Sequence, residues 1–97
     1  MRDYPSIRLL VGGYLNLDWM EDCSSVWECV TRFAEHEELA FALPKEVDAA
    51  LEEFSSESSM KQFIVDQCGS GYVAEADGWT YRAWLAEVRT RVRDSLS

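Results

Sequence analysis

Thr80-Tyr81-Arg82-Ala83-Trp84-Leu85-Ala86-Glu87-Val88-Arg89-Thr90-Arg91-Val92-Arg93-Asp94 is the stretch that decides the fold class. Tyr81, Leu85, Val88 and Val92 recur at steps of three and four, with Trp84 beside Leu85, so one face of a helix is apolar. Glu87 and Arg91 have the spacing of an exposed i,i+4 ion pair. The same period runs through the chain upstream. Met60, Phe63, Ile64 and Cys68 mark a helix that Gly69 can end in a left-handed conformation. Val47, Ala50, Leu51 and Phe54 mark another, with Glu46, Asp48, Glu52 and Glu53 on its outer face. Pro44 disfavours helical geometry at Leu43 and predicts a break there. Val26, Val30 and Phe33 line a helix ending near His36. Ile7, Leu10, Val11, Tyr14 and Leu15 line a first one, with Pro5 in the opening turn where its missing N–H costs nothing.

The segments between these stripes carry punctuation. Asp18 with Glu21, and Ser25 with Glu28, have the spacing of capping boxes. The serines from 55 to 59 offer several N-caps. Gly12-Gly13 weakens its helix by about 1 kcal/mol per glycine relative to alanine, which predicts close approach of a neighbouring helix or ring. Glu37 to Leu43 reads either as a short helix or as the first turns of the next. Residues 69–79 are the longest irregular stretch, with a tight turn at Asp77-Gly78 and room for a small hairpin around Tyr72-Val73 and Trp79. The expected fold is therefore all-α: one domain over residues 1–97, a compact bundle of four to five helices, with Trp19, Trp27 and Trp84 largely buried.

Charge narrows the function. Eighteen acids stand against nine bases, a net charge of −9. Residues 18–57 hold twelve of the acids and only two bases, Arg32 and Lys45, whereas residues 80–97 are net positive. Such a surface repels nucleic acid and anionic membranes and attracts a basic partner. No stretch approaches the length of a membrane span, and no secretory leader is expected. Cys23, Cys29 and Cys68 are odd in number and form no Cys-x-x-Cys pair, so free buried thiols in a reducing cytoplasm are the simplest expectation.

Catalytic chemistry is missing. The single histidine, His36, stands among Glu35, Glu37 and Glu38 at a predicted helix end, where a cation favours the helix dipole. It lacks a nucleophile at fixed spacing. The cysteines offer no zinc framework, and no calcium-loop pattern exists among the carboxylates. Neither a cofactor nor a metal is expected, and the chain is not expected to be an enzyme.

Two motifs carry a resemblance. Tyr4-Pro5-Ser6-Ile7-Arg8-Leu9-Leu10 leads through Gly13-Tyr14 to Asp18-Trp19, and Tyr81-Arg82-Ala83-Trp84-Leu85 follows near the end. At this separation they resemble the opening and the last helix of the contact-dependent growth inhibition immunity proteins (CdiI type) of bacteria. The resemblance implies a cytoplasmic protein that neutralises the C-terminal toxin domain of a cognate delivered effector, many such toxins being nucleases. It implies that Tyr14, Trp19, Trp84 and Leu85 serve the fold and that variable residues meet the toxin. A nuclease must carry positive charge to hold phosphates, so an acidic inhibitor suits it. The expected toxin-facing residues are Asp18, Asp22, Glu35, Glu37, Glu38, Glu52 and Glu53, in a 1:1 complex without nucleic acid or membrane. The alternative is a small acidic cytoplasmic chaperone or adaptor for a secreted protein, distinguishable by whether an exported effector is encoded alongside.

Overall fold

Helix ends leave amides and carbonyls without partners inside the helix, and in this protein side chains from distant segments satisfy them. The structure, a computed structural model, describes residues 3–96. Helix α1 (Pro5–Arg8) continues without a break as a π-helical segment, Leu9–Tyr14. The short α2 (Trp19–Asp22) and the long α3 (Val26–His36) follow. A 3₁₀ segment, Glu38–Ala42, leads into α4 (Leu43–Glu53). Helix α5 (Glu57–Lys61) widens into a second π segment, Gln62–Gln67. A 3₁₀ turn, Ala74–Asp77, precedes α6 (Tyr81–Leu96). Five longer helical rods thus make an all-α bundle, and no strand occurs among the described residues.

The Glu46 carboxylate accepts the amides of Ser6 at 3.2 Å and Ile7 at 3.1 Å, closing the start of α1. The Glu57 carboxylate does the same for α6, taking the amides of Tyr81 at 2.7 Å and Arg82 at 3.0 Å. A negative charge at a helix N-terminus also meets the favourable end of the helix dipole. Arg82 closes the far end of α4 by donating to the carbonyls of Leu51, at 2.9 Å, and Phe54. Glu46 was expected on the outer face of α4. It is half-buried instead, and burial raises its carboxyl pKa while the two amide bonds pull it back.

The buried side chains from Tyr4 to Val92 form one cluster. Helix α6 runs through it, packed on α3, α4 and α5. Trp84 is fully enclosed, with its ring 4.9 Å from that of Tyr72, which lies 5.8 Å from the buried Trp19. Trp27 is only half-buried. Its ring lies 6.0 Å from Trp79 and 3.9 Å from the Arg91 guanidinium, a cation–π contact at the bundle surface.

Several local expectations change. The first helix and the 57–67 rod both widen to i→i+5 bonding, seen in Leu15 N–H to Leu10 O and Cys68 N–H to Phe63 O, each near 3 Å. The two widened turns meet. A Cβ on Gly12 would lie 2.2 Å from the Cys68 carbonyl oxygen, so the close approach expected at Gly12-Gly13 belongs to Gly12. Asp18 forms no capping box. Asn16 does the local bonding, accepting the Asp18 amide at 2.8 Å and donating to the Gly13 carbonyl at 3.0 Å. Ser25 caps α3 as predicted, but Glu28 reaches back one residue further, to the amide and hydroxyl of Ser24. Pro44 lies within the first turn of α4 rather than after a break at Leu43. No hairpin forms at 69–79. That stretch turns through its 3₁₀ segment and the left-handed Gly78.

The cysteine expectation is corrected for two of the three. Cys23 and Cys29 are joined by a disulfide, with Cα atoms 5.8 Å apart. Extended backbone at Cys23 leads the chain back over the first turn of α3 and brings the two side chains together. Cys68 is free. The bridge closes a loop of sequence separation 6, for which the chain-entropy model gives about 2 kcal/mol. The double variant Cys23→Ser, Cys29→Ser is expected to lose that much, read as a lower urea midpoint at unchanged slope.

Candidate partner-binding surface

The charged residues separate into those engaged within the fold and those left facing solvent. Among the bases, Arg32 bridges Glu28 at 3.1 Å, Lys61 bridges Glu75 at 2.7 Å, Arg89 bridges Asp48 at 2.5 Å and Arg91 bridges Glu87 at 2.9 Å. Arg82 is committed to the end of α4. Arg8 donates to the Asp3 carbonyl at 2.5 Å and lies over the Phe63 ring. Much of the positive charge is thereby held inside the molecule, four of the nine bases in ion pairs. The acids outnumber it, and the surplus stays outside.

The seven acids expected to face a toxin take three positions. Asp18 lies in the turn before α2 and Asp22 at its end, both exposed. Glu35, Glu37 and Glu38 cluster where α3 passes into the 3₁₀ segment; Glu35 and Glu38 are exposed, and Glu37 is half-buried. Glu52 and Glu53 occupy the last turn of α4, exposed, and Glu53 accepts the Tyr4 hydroxyl.

Tyr14 links the first two groups. Its hydroxyl donates to Glu37 at 2.7 Å, and its ring lines a cleft of about 400 Å³ together with Asp22, Leu9, Gly13, Arg32 and the disulfide. Burial, and then the Glu37 carboxylate, push the Tyr14 phenol up to about 12, so it remains a hydrogen-bond donor near neutrality. No described bond joins Glu52 and Glu53 to the other five.

No group of three or more His, Cys, Asp or Glu among the described residues could hold a metal. The Cys68 thiol is raised to about 11 by burial, with Arg8 pulling it back, so it stays protonated and a poor nucleophile at neutral pH. No described helix is long and apolar enough to cross a membrane.

Sequence reasoning missed the exposed apolar side chains. Leu17, Met20, Leu39, Phe41 and Val73 all stand open to solvent. They fall between the helical stripes, in segments where no period says which way a side chain points. It also assigned Glu21 to a capping box, whereas Glu21 makes no cap and is exposed on α2 between Asp18 and Asp22.

The comparisons with known proteins agree with the motifs at the two ends of the chain. Residues 3–92 match the family model described as CdiI immunity protein. No curated protein and no solved structure matches the chain.

Proposed function

The chain belongs to the CdiI immunity protein family, and on that premise we propose that it binds and neutralises, one to one and in the cytoplasm, the C-terminal toxin domain of a cognate contact-dependent inhibition effector. The toxin is a basic domain, and a nuclease is the class that best fits its charge. The protein works as a single folded unit and by occupancy alone, with no turnover of its own.

One observation carries the chemistry of the partner. Four of the nine bases are ion-paired within the fold and Arg8 and Arg82 are spent on backbone carbonyls, while Asp18, Asp22, Glu35, Glu38 and Glu52 have carboxylates without a partner among the described residues. An outward field of one sign steers an oppositely charged domain into contact and raises its association rate. Glu37 and Glu53 add to that field while holding Tyr14 and Tyr4 in place. A domain built to grip phosphates has the complementary surface.

Co-expression tests the reading directly. The C-terminal domain of the effector encoded beside this chain should arrest growth alone and permit growth when this chain is present. Continued arrest would refute the assignment. The electrostatic part has its own measurement. A Glu37→Lys, Glu38→Lys double variant should associate with the toxin domain about tenfold more slowly at low salt, with a flatter dependence on ionic strength. Equal rates and equal salt slopes for variant and wild type would show that these acids serve solubility alone.

A further inference from the structure

Leu17, Met20 and Val73 are 81%, 73% and 54% exposed, and they stand on two segments, the turn into α2 and the stretch after Gly69, held together by main-chain bonding. The Gly71 amide donates to the Leu15 carbonyl at 2.7 Å, and the buried Ser70 hydroxyl donates to the same oxygen at 3.2 Å. The strands of chain run so close that a Cβ on Gly71 would lie 2.4 Å from the Asn16 carbonyl oxygen. Met20 and Val73 line one shallow depression of about 260 Å³, floored by Trp19 and Tyr72. Leu17 and Val73 line the next, of about 270 Å³, with Val65 and Tyr81. Val73 belongs to both, so the three side chains form one apolar ridge on a backbone that is already fixed.

Contiguous exposed apolar residues on a small soluble protein mark an interaction site. Asp18 and Glu21 are immediate sequence neighbours of Leu17 and Met20, and Asp22 follows Glu21; the three carboxylates have no partner among the described residues. The base beside the ridge, Lys61, is matched by Glu75 at 2.7 Å. An apolar centre with a charged rim is the anatomy of a protein–protein contact whose centre dominates the affinity.

We propose that the Leu17–Met20–Val73 ridge is the centre of the toxin contact and that Asp18, Glu21 and Asp22 are its rim. The occupant is a protein domain presenting an apolar socket edged with lysine or arginine. This rests on the toxin-binding reading above and adds the place of contact. A second copy of this chain does not fit, because a two-fold contact here would set the three rim carboxylates against their own copies in a protein of net charge −9. An anionic membrane and a nucleic acid are repelled by the same rim.

The test uses purified full-length protein and the purified toxin domain of the effector encoded beside it. Dissociation constants are measured for wild type, Leu17→Asp, Met20→Asp, Val73→Asp and Thr90→Asp. Thr90 is exposed on α6, and its hydroxyl bonds only within that helix, at 3.3 Å to Ala86 O, so it controls for the added charge. Each ridge variant should weaken binding by about thirtyfold or more, with its thermal midpoint unchanged, while Thr90→Asp stays near wild type. Tight wild-type binding that all three ridge variants retain would overturn the ridge and leave the toxin reading standing. Absence of wild-type binding would overturn both. A dimer of this chain in sedimentation that Met20→Asp dissolves would assign the ridge to self-association and overturn the proposal.

Discussion

Trp84→Ala is expected to lower the folding free energy by about 3–5 kcal/mol, the range for deleting a large aromatic side chain from a packed core. Trp84 is fully buried on α6, the helix that packs on three others, and its ring lies against Tyr72. Natural stability is about 0.05–0.15 kcal/mol per residue, so for 97 residues this single change takes away about a fifth or more of the total. The midpoint of urea unfolding measures it. The indole N–H finds no hydrogen-bond partner among the described residues, so the residue serves through volume. Trp84→Phe, which keeps most of the ring and removes the orphan donor, should therefore cost clearly less than alanine. Equal losses for the two variants would contradict that account. An unchanged midpoint for Trp84→Ala would contradict the burial itself.

Gly12→Ala is also expected to be strongly destabilising. The new Cβ would stand 2.2 Å from the carbonyl oxygen of Cys68, and a backbone atom cannot swing aside as a side-chain tip can. The two π-helical rods must separate, and overpacking of that kind costs about 1–3 kcal/mol, with rigid backbone at the upper end. Gly13→Ala is the internal comparison. Its Cβ would meet only the Leu9 Cδ1 methyl, at 3.2 Å, which a rotamer change can move. Removing that glycine gains up to about 1 kcal/mol of helix propensity, so the variant should be neutral or slightly stabilised. Thermal melts of the two variants side by side decide it. Equal destabilisation would mean that the Cys68 contact does not set Gly12 apart from Gly13.

Much of the fold is legible in the sequence because it is local. The stripes of α3, α4 and α6 put Val26, Val30, Phe33, Val47, Ala50, Leu85, Val88 and Val92 inside, as a 3.6-residue period requires. The π segments are not legible that way, since each spans only six residues, too few for a wider turn to change the apolar period. The carboxylate caps are illegible for another reason. Glu46 and Ser6 lie 40 residues apart, and Glu57 and Tyr81 lie 24 apart. Nothing in composition separates those two glutamates from the ones that face water. The disulfide has the same character, because only the turn between α2 and α3 brings Cys23 to Cys29. For the binding surface, the sign of the charge could be read from the sequence. Its distribution could not, and the apolar side chains at 17, 20 and 73 gave no periodic signal.

The bond from the Gly71 amide to the Leu15 carbonyl has a consequence for how partner choice can drift. It joins main chain to main chain, so the shape of the two segments does not depend on which side chains they display. Leu17, Met20 and Val73 can each be exchanged while the bundle beneath keeps its melting behaviour. On the ridge proposal, a mutation there alters recognition without testing the fold. A change at Gly71 does the reverse, because any side chain collides with the backbone of Asn16 and Leu17. Inheritance can therefore hold the frame constant and rewrite the message it carries one residue at a time. A library randomised at 17, 20 and 73 should yield mostly folded proteins, whereas one randomised at 71 should not.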